Sequence, residues 1–541
     1  MQSTMQDVAL TVGLLAEHAF TVHGNSRVRS RMSDGTMRSV TFAAVGRRSA
    51  QLAHALRATA GINGDERVGT FMWNNQEHVE AYCAVPAMGA VLHTLNIRLT
   101  AEQIAYVANH AEDQVVVVDG SLVEVFAPVV PQLSTVHTLI VTGQPDLSPL
   151  EGHGRRVERY DEFIAGQPET FPWATVDERS AAAMCYTSGT TGNPKGVAYS
   201  HRSTFLHATA VCAPGVFDIG PHDTVLAVVP MFHANAWGFI YAALLAGADL
   251  LLPDQFLQAQ PLVELIQRER PTVSGGVPTV WNDVLRYLEA HPEADVSSLR
   301  LVACGGSAVS RELLEGFERD HGICMVQAWG MTETSPLAAI ARPAAGDPDH
   351  WDMRVTQGTP LWGIEARIVD DNGNSVPHDG ASVGELQVRG PWVTGSYYGS
   401  DDGASFHDGW LATGDVGTIN GRGYISLTDR AKDLIKSGGE WISSVELELA
   451  IAAHPAVLEA AVIAIPDDRW QERPLAAVVM KPTMSVSTDE LRDFLSDKVA
   501  KWWIPESWSF IDQVPRTSVG KFDKKLLRAN FAKGDLTIAS V

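Results

Sequence analysis

From Cys185 to His201 the chain reads CYTSGTTGNPKGVAYSH, and no other segment commits so many consecutive residues to a single chemistry. Thr187, Ser188, Gly189, Thr190, Thr191 and Gly192 set hydroxyls and glycines side by side, so backbone N–H groups lie open to a ligand as a nest for oxyanions. Lys195, between Pro194 and Gly196, adds a mobile positive charge that reaches a terminal phosphate. Together these groups cradle a polyphosphate. The arrangement is not the Walker loop, which needs Gly-Lys-Ser/Thr running into a helix, because Lys195 is followed by Gly196 and the apolar Val197. Ordinary surface loops draw on the same residue types. What separates this one is the run from Tyr186 to Gly196, in which every residue except Pro194 is a hydrogen-bond donor, a glycine or the one lysine.

At 541 residues the chain is too long for one hydrophobic core. With 45% hydrophobic and 19% charged residues it has the composition of an ordinary folded protein. A net charge of -23 argues against nucleic acid as a partner and against anionic membranes, so an anionic substrate has to be held by local groups. Cys83, Cys185, Cys212, Cys304 and Cys324 show neither disulfide nor zinc spacing, which fits a reducing cytoplasm. The first twenty residues carry Asp7 and Glu17 and make a poor signal peptide. No apolar run reaches the roughly 18 residues of a spanning helix, so a soluble protein without a transmembrane segment is expected.

The expected fold class is α/β. Residues 1 to about 180 alternate helical stretches with short apolar strands, the pattern of βαβ units and parallel sheets. In TAEQIAYVANHAEDQVVVVDG, Thr100 and Gln103 predict a capping box, an amphipathic helix follows, and Val115 to Val118 form a buried strand. Trp351 to Asp429 differs, with strand-like pieces at Glu365 to Val369 and Gly384 to Arg389 between Gly, Asn and Asp turns, as in a small barrel-like subdomain. A boundary at 428/429 gives domains of residues 1–428 and 429–541. The second reads as a smaller α+β unit: a helix from Ser443/Glu446, strands near Val457 to Ile465 and Leu475 to Met480, and a helix capped by Ser487 and Glu490.

Several further clusters carry chemistry. Trp329, Gly330, Met331, Thr332 and Glu333 offer an aromatic face for a purine, a hydroxyl for a phosphate oxygen and a carboxylate for Mg²⁺. Leu301 to Cys304 is a strand-like run ending in Gly305, Gly306 and Ser307, and in α/β sheets ligands sit at such strand ends. In Thr413-Gly414-Asp415 and Asp429-Arg430, a carboxylate can accept from ribose hydroxyls and an arginine can donate to ribose or phosphate. Within KSGGEWISS, Gly438 and Gly439 admit a narrow ligand that Trp441 would wall. Alone, Lys521 with Arg516, Lys524 and Lys525 reads as a basic tail. In VVPMFHANAWGF, His233, Asn235 and Trp237 interrupt apolar residues, and no carboxylate lies between Met231 and Leu245 to pair with a substrate amino group.

Tyr186 to Gly196, the Trp-Gly-Met-Thr-Glu motif, Thr-Gly-Asp and Asp-Arg together resemble the signature set of the adenylate-forming superfamily, which includes acyl-CoA synthetases, luciferases and peptide-synthetase adenylation domains. The resemblance implies ATP, Mg²⁺ and CoA as cofactors. It assigns the glycine-rich loop and Lys195 to the phosphates, and Thr187 and Glu333 to the metal. Trp329 to Thr332 go to the adenine and phosphate side, although Trp329 replaces a tyrosine common among relatives, and Gly305, Gly306 and Ser307 go to the adenine and acyl pocket. Asp415 and Arg430 are assigned to ribose, Asp429 to a hinge that makes the C-terminal domain mobile, and Lys521 to catalysis of adenylation. His233, Asn235, Trp237, Val277 and Pro278 are implied in the acyl pocket, with Trp237 as its gate, and Lys436, Gly438, Gly439 and Trp441 on the CoA face. The implied activity is ligation of a medium- to long-chain fatty acid to CoA through acyl-AMP. A ligase for a short acid such as methylmercaptopropionate, an enzyme loading a carrier protein, and a non-catalytic nucleotide-binding paralogue are the alternatives. A homodimer is a further expectation of the resemblance.

Overall fold

A computed structural model of the chain describes all residues except Gln2, 188–192, Ala345, Asp401, Asp402, Ala431, Gly438, Gly439, Asp468, 518–520 and Val541. The expectations for Ser188, Gly189, Thr190, Thr191, Gly192, Gly438 and Gly439 therefore lie outside the described residues. Two compact units form, one of Met1–Val355, Pro360–Glu365 and Arg389–Leu411, the other of Thr356–Thr359, Ala366–Val388 and Ala412–Val541.

In the first unit, one sheet runs in the order Arg156–Arg159, Thr138–Val141, Asp113–Val118, Arg67–Phe71, Val91–Thr94, Ala181–Tyr186, Gly196–Ser200. Its interior strands are largely apolar because helices cover them; Val115 to Val118 are fully buried. Thr100 and Gln103 form the reciprocal capping box that starts the helix Ala101–His110. A second sheet carries Leu337–Ile340, Cys324–Gly330, Leu301–Gly305, Val273–Gly276, Thr224–Leu226, Asp249–Leu252, Arg27–Arg31 and Met37–Thr41 in that order. Leu226, Trp281, Val302, Leu314, Phe317 and Met325 centre its core.

The interiors of both sheets are parallel, as expected, and three further pairs are antiparallel. Ala181–Tyr186 and Gly196–Ser200 pair antiparallel, as do Cys324–Gly330 with Leu337–Ile340 and Arg27–Arg31 with Met37–Thr41. The reason is local: each pair is joined by too short a connection for the crossover that parallel strands need. The glycine-rich loop consequently joins two antiparallel strands.

In the second unit, Glu365–Val369 and Gly384–Arg389 form the expected strands, and Trp410–Ile419 pairs antiparallel with Ile425–Arg430. Further on, the long strands Val457–Asp467 and Gln471–Met480 pair antiparallel, Ser507–Phe510 adds in parallel, and the helices Ser444–Ala452, Thr488–Leu495 and Lys524–Lys533 pack nearby. Ser487 and Glu490 make the second reciprocal capping box. Among the described residues no helix is long and apolar enough to cross a membrane.

Candidate active site

Adjacent parallel strands of the second sheet end at the same edge. Gly276 lies opposite Cys304, and Gly305 lies opposite Ala328. Their C-terminal ends thus deliver Val277 and Pro278, then Gly305, Gly306 and Ser307, then Trp329 to Glu333, while the neighbouring strand Thr224–Leu226 runs on into the VVPMFHANAWGF segment. Four segments singled out in the sequence are brought together by strand order alone, at the edge where α/β sheets bind ligands.

Gly330 is obligatory there, since an added Cβ would collide with the Pro336 carbonyl. The chain then turns through Thr332–Thr334, and Glu333 is 6% exposed. The Tyr397 hydroxyl donates to Glu333 Oε1 at 2.7 Å, and the Thr394 N–H donates to the Glu333 carbonyl at 2.8 Å. Lys195 Nζ stands 4.6 Å from the centre of the Tyr397 ring. One tyrosine therefore carries the lysine of the hairpin loop on its face and the carboxylate on its hydroxyl. The loop's ends are closed by the Thr187 N–H donating to the Lys195 carbonyl at 2.9 Å and the Lys195 N–H donating to Thr187 Oγ1 at 3.1 Å. Gly196 accepts the Tyr398 N–H at 2.8 Å. Tyr199, buried so that its hydroxyl is pushed well above the usual phenol range, donates to the Thr332 carbonyl at 2.7 Å.

The segment that carries the acyl-pocket candidates His233, Asn235 and Trp237 makes a strained turn. Ala234, Asn235, Ala236, Trp237 and Gly238 have φ of 43°, 50°, 52°, 54° and 77°, a left-handed turn built mostly from residues that disfavour it. Such strain persists only where surroundings impose it. Asn74, 2% exposed, donates to the Ala227 and Val229 carbonyls at 2.7 and 2.8 Å and accepts the Met231 N–H at 2.7 Å. Burial pushes the Cys185 thiol up to about 11, and the thiol donates to Asn235 Oδ1 at 3.1 Å. Behind the turn is a small cavity lined by Tyr199, Thr204, His207, Asn235, Gly238, Tyr241 and Ser335. Burial holds His207 near 3, so it is neutral; its Nε2 accepts the Leu337 N–H at 3.0 Å, which puts its proton on Nδ1. His233 and Trp237 are half-buried at the turn's start and end.

In the second unit, Asp415 and Arg430 face each other across the antiparallel pair, and Arg430 Nε lies 3.0 Å from Asp415 Oδ1. Thr413 Oγ1 accepts the Asp415 N–H at 3.1 Å, and Gly414 supplies the left-handed φ of 72° between them. Lys436 lies opposite Trp441 in a short hairpin, its Nζ 4.6 Å from the indole, which is 46% exposed. Lys521 is bonded to Thr517 twice: its N–H donates to Thr517 Oγ1 at 3.2 Å and its carbonyl accepts the Thr517 N–H at 2.7 Å.

Tyr397, Asn74 and His207 escaped the sequence reading. The only cue to Tyr397 is an aromatic pair among glycines, TGSYYGS; Asn74 and His207 have no local signature, because their partners lie more than a hundred residues away.

The AMP-binding enzyme family matches residues 17–398, and the AMP-binding enzyme C-terminal domain matches residues 446–521. A medium-chain-fatty-acid–CoA ligase of Ectopseudomonas oleovorans is 41% identical over 545 residues, with 100% of this chain and 99% of the relative covered. A 3-methylmercaptopropionyl-CoA ligase of Ruegeria pomeroyi is also 41% identical, covering 98% of this chain and 99% of the relative. Among solved structures, an anthranilate CoA ligase in complex with anthranoyl-AMP superposes with a TM-score of 0.88 at 26% identity, covering 99% of this chain and 100% of that one. With both family domains in order and relatives aligned end to end, the chain belongs to the AMP-binding enzymes, within the adenylate-forming superfamily.

Proposed function

We propose that this enzyme activates a medium- to long-chain fatty acid with ATP, forming acyl-AMP and pyrophosphate, and then transfers the acyl group to CoA with release of AMP. The observation that carries this reading is the Lys195–Tyr397–Glu333 cluster, a cation and a carboxylate held by one tyrosine at the strand ends. Lys195 would neutralise the β- and γ-phosphates. Glu333 with the Thr187 hydroxyl would hold Mg²⁺: Tyr397 engages Oε1, and among the described residues none engages Oε2. One carboxylate and a hydroxyl suit a cation that keeps its waters and binds largely through substrate phosphates. When bound, Mg²⁺ offsets charge on the departing pyrophosphate.

In the first half-reaction the substrate carboxylate oxygen bonds to the α-phosphorus as the bond to the β-phosphate bridge breaks. Two anions meet, so positive charge and alignment decide the rate. We assign that charge to Lys521, and the ribose to Asp415 with Arg430. In the second, the CoA sulfur bonds to the acyl carbon and AMP departs. Lys436 and Trp441 are our candidates for the CoA face, together with Gly438 and Gly439, and rotation about Asp429 for the exchange between the two steps. Val277, Pro278, His233, Asn235 and Trp237 would line the acyl path. Trp237→Ala is expected to broaden the range of accepted acids.

A second reading is favoured by one finding: the methylmercaptopropionyl-CoA ligase is as similar to this chain as the medium-chain ligase is. Competition between octanoate and 3-methylmercaptopropionate for ATP and CoA separates the two. Octanoyl-CoA with AMP is the expected product; ADP in place of AMP would refute adenylation. We place the enzyme in a reducing cytoplasm, which suits five cysteines that are all free thiols, and expect a homodimer, which sizing in solution tests.

A further inference from the structure

We propose that Ser444, Glu448 and Lys524 form a latch on Asp429 that sets the balance between the two half-reactions. The proposal rests on the hinge assigned to Asp429 above. Asp429 is 5% exposed at the end of the strand Ile425–Arg430, and its Oδ2 accepts both the N–H of Ser444 at 2.7 Å and the Ser444 hydroxyl. Ser444 is the first residue of the helix Ser444–Ala452. The carboxylate thus serves an N–H that the helix leaves without an internal partner, at the helix's positive end.

The hydroxyl that donates to Asp429 accepts from Lys524 Nζ at 2.6 Å, and Lys524 Nζ lies 2.7 Å from Glu448 Oε1. Glu448 also accepts the Val462 N–H at 2.7 Å. Carboxylate, hydroxyl, ammonium and carboxylate therefore form one continuous, largely buried chain. Alongside it the Ser443 hydroxyl donates to the Thr428 carbonyl at 2.6 Å. Lys524 opens the helix Lys524–Lys533, three residues after Lys521.

A change of backbone dihedrals at Asp429 displaces Ser444 from the strand, because Ser444 follows the pivot while Thr428 precedes it. That movement breaks three hydrogen bonds and leaves a buried carboxylate to be resolvated, a cost well above that of one surface contact. The network thus stabilises the conformer seen here. Ser444, Glu448 and Lys524 act as positioning residues through Asp429; none of them is assigned to substrate.

The variant that isolates the latch is Ser444→Pro. It removes both Ser444 donors to Asp429 Oδ2, yet proline suits the first helical position, and Ser443 already has φ -73° and ψ 116°, which a following proline accepts. Ser444→Ala, which keeps the N–H and loses the hydroxyl, is the milder companion and decides the matter should the proline variant not fold. Adenylation is read by ATP–pyrophosphate exchange with octanoate, thioester formation by octanoyl-CoA production from supplied octanoyl-AMP, and folding by the melting temperature. The expected result is a shift of about tenfold in the ratio of the two rates for Ser444→Pro, and a smaller shift of the same sign for Ser444→Ala, with the fold retained. Parallel loss of both rates, or no change in their ratio, would overturn the latch. Wild-type protein that runs neither half-reaction would instead overturn the functional reading and the latch with it; wild type running both with an unmoved ratio in the variants removes the latch alone.

Discussion

Tyr397 joins the two charged side chains at the strand ends. Its hydroxyl fixes Glu333, and its ring faces Lys195. Tyr397→Phe keeps the ring and removes the bond to a carboxylate, so adenylation is expected to slow by about tenfold to a hundredfold while Lys195 keeps its aromatic support. A rate of pyrophosphate exchange equal to wild type would show that Glu333 needs no such anchor. His207 gives a prediction in pH. Buried, it titrates near 3; unfolded, it titrates near 6.5. Between these values the unfolded chain binds the extra proton, so the stability drawn from neutral His207 is complete above pH 6.5 and drains as pH falls toward 3. His207→Gln keeps an acceptor for the Leu337 N–H and cannot titrate. It is expected to flatten the loss of stability in urea unfolding by about 1.4 kcal/mol per pH unit between pH 6 and pH 4. An unchanged pH dependence would mean that His207 is not held neutral.

Among the elements, the left-handed turn at Ala234–Gly238 stands apart, because each of its non-glycine residues costs about 1–2 kcal/mol in that conformation. The segment leading into the turn is fixed by Asn74, which spends three hydrogen bonds on it. Asn74→Ala would leave two carbonyls and one N–H unpaired in the interior, and a loss of roughly 3 kcal/mol of stability is expected. Under the proposed acyl path the KM for the acid would rise as well; a stability loss with unchanged KM would detach this segment from the acid. Such a turn is hard to read in sequence, since only Gly238 favours it and the rest is tertiary imposition. Elements whose determinants are local were legible. Thr100 with Gln103 and Ser487 with Glu490 announce their helices, and alternating or continuous apolar runs announce Asp113–Val118, Glu365–Val369 and Gly384–Arg389. The antiparallel pairs had no such cue, because βαβ alternation sets the parallel interior of a sheet and says little about strands joined by short connections. Within the site, strand-end motifs were visible as motifs, whereas the residues that hold them were not: Tyr397 reaches Glu333 across 64 positions.

For the whole molecule, adenylation and thioester formation place opposite demands on the C-terminal residues, since the first needs a cation at the α-phosphate and the second needs room for a thiol. Lys521→Ala is therefore expected to lose adenylation and retain octanoyl-CoA formation from supplied octanoyl-AMP; equal loss of both would remove Lys521 from its assigned role. With a net charge of -23 the overall field repels ATP, CoA and fatty acids alike, so local cations have to hold them, the part we propose for Lys195 and Lys521. The most direct test of the central claim is pyrophosphate release from ATP over straight-chain carboxylates of increasing length, with and without CoA. Release that depends on the acid, peaks at medium to long chains and turns over continuously only with CoA is the predicted result, and no release with any acid would contradict the account.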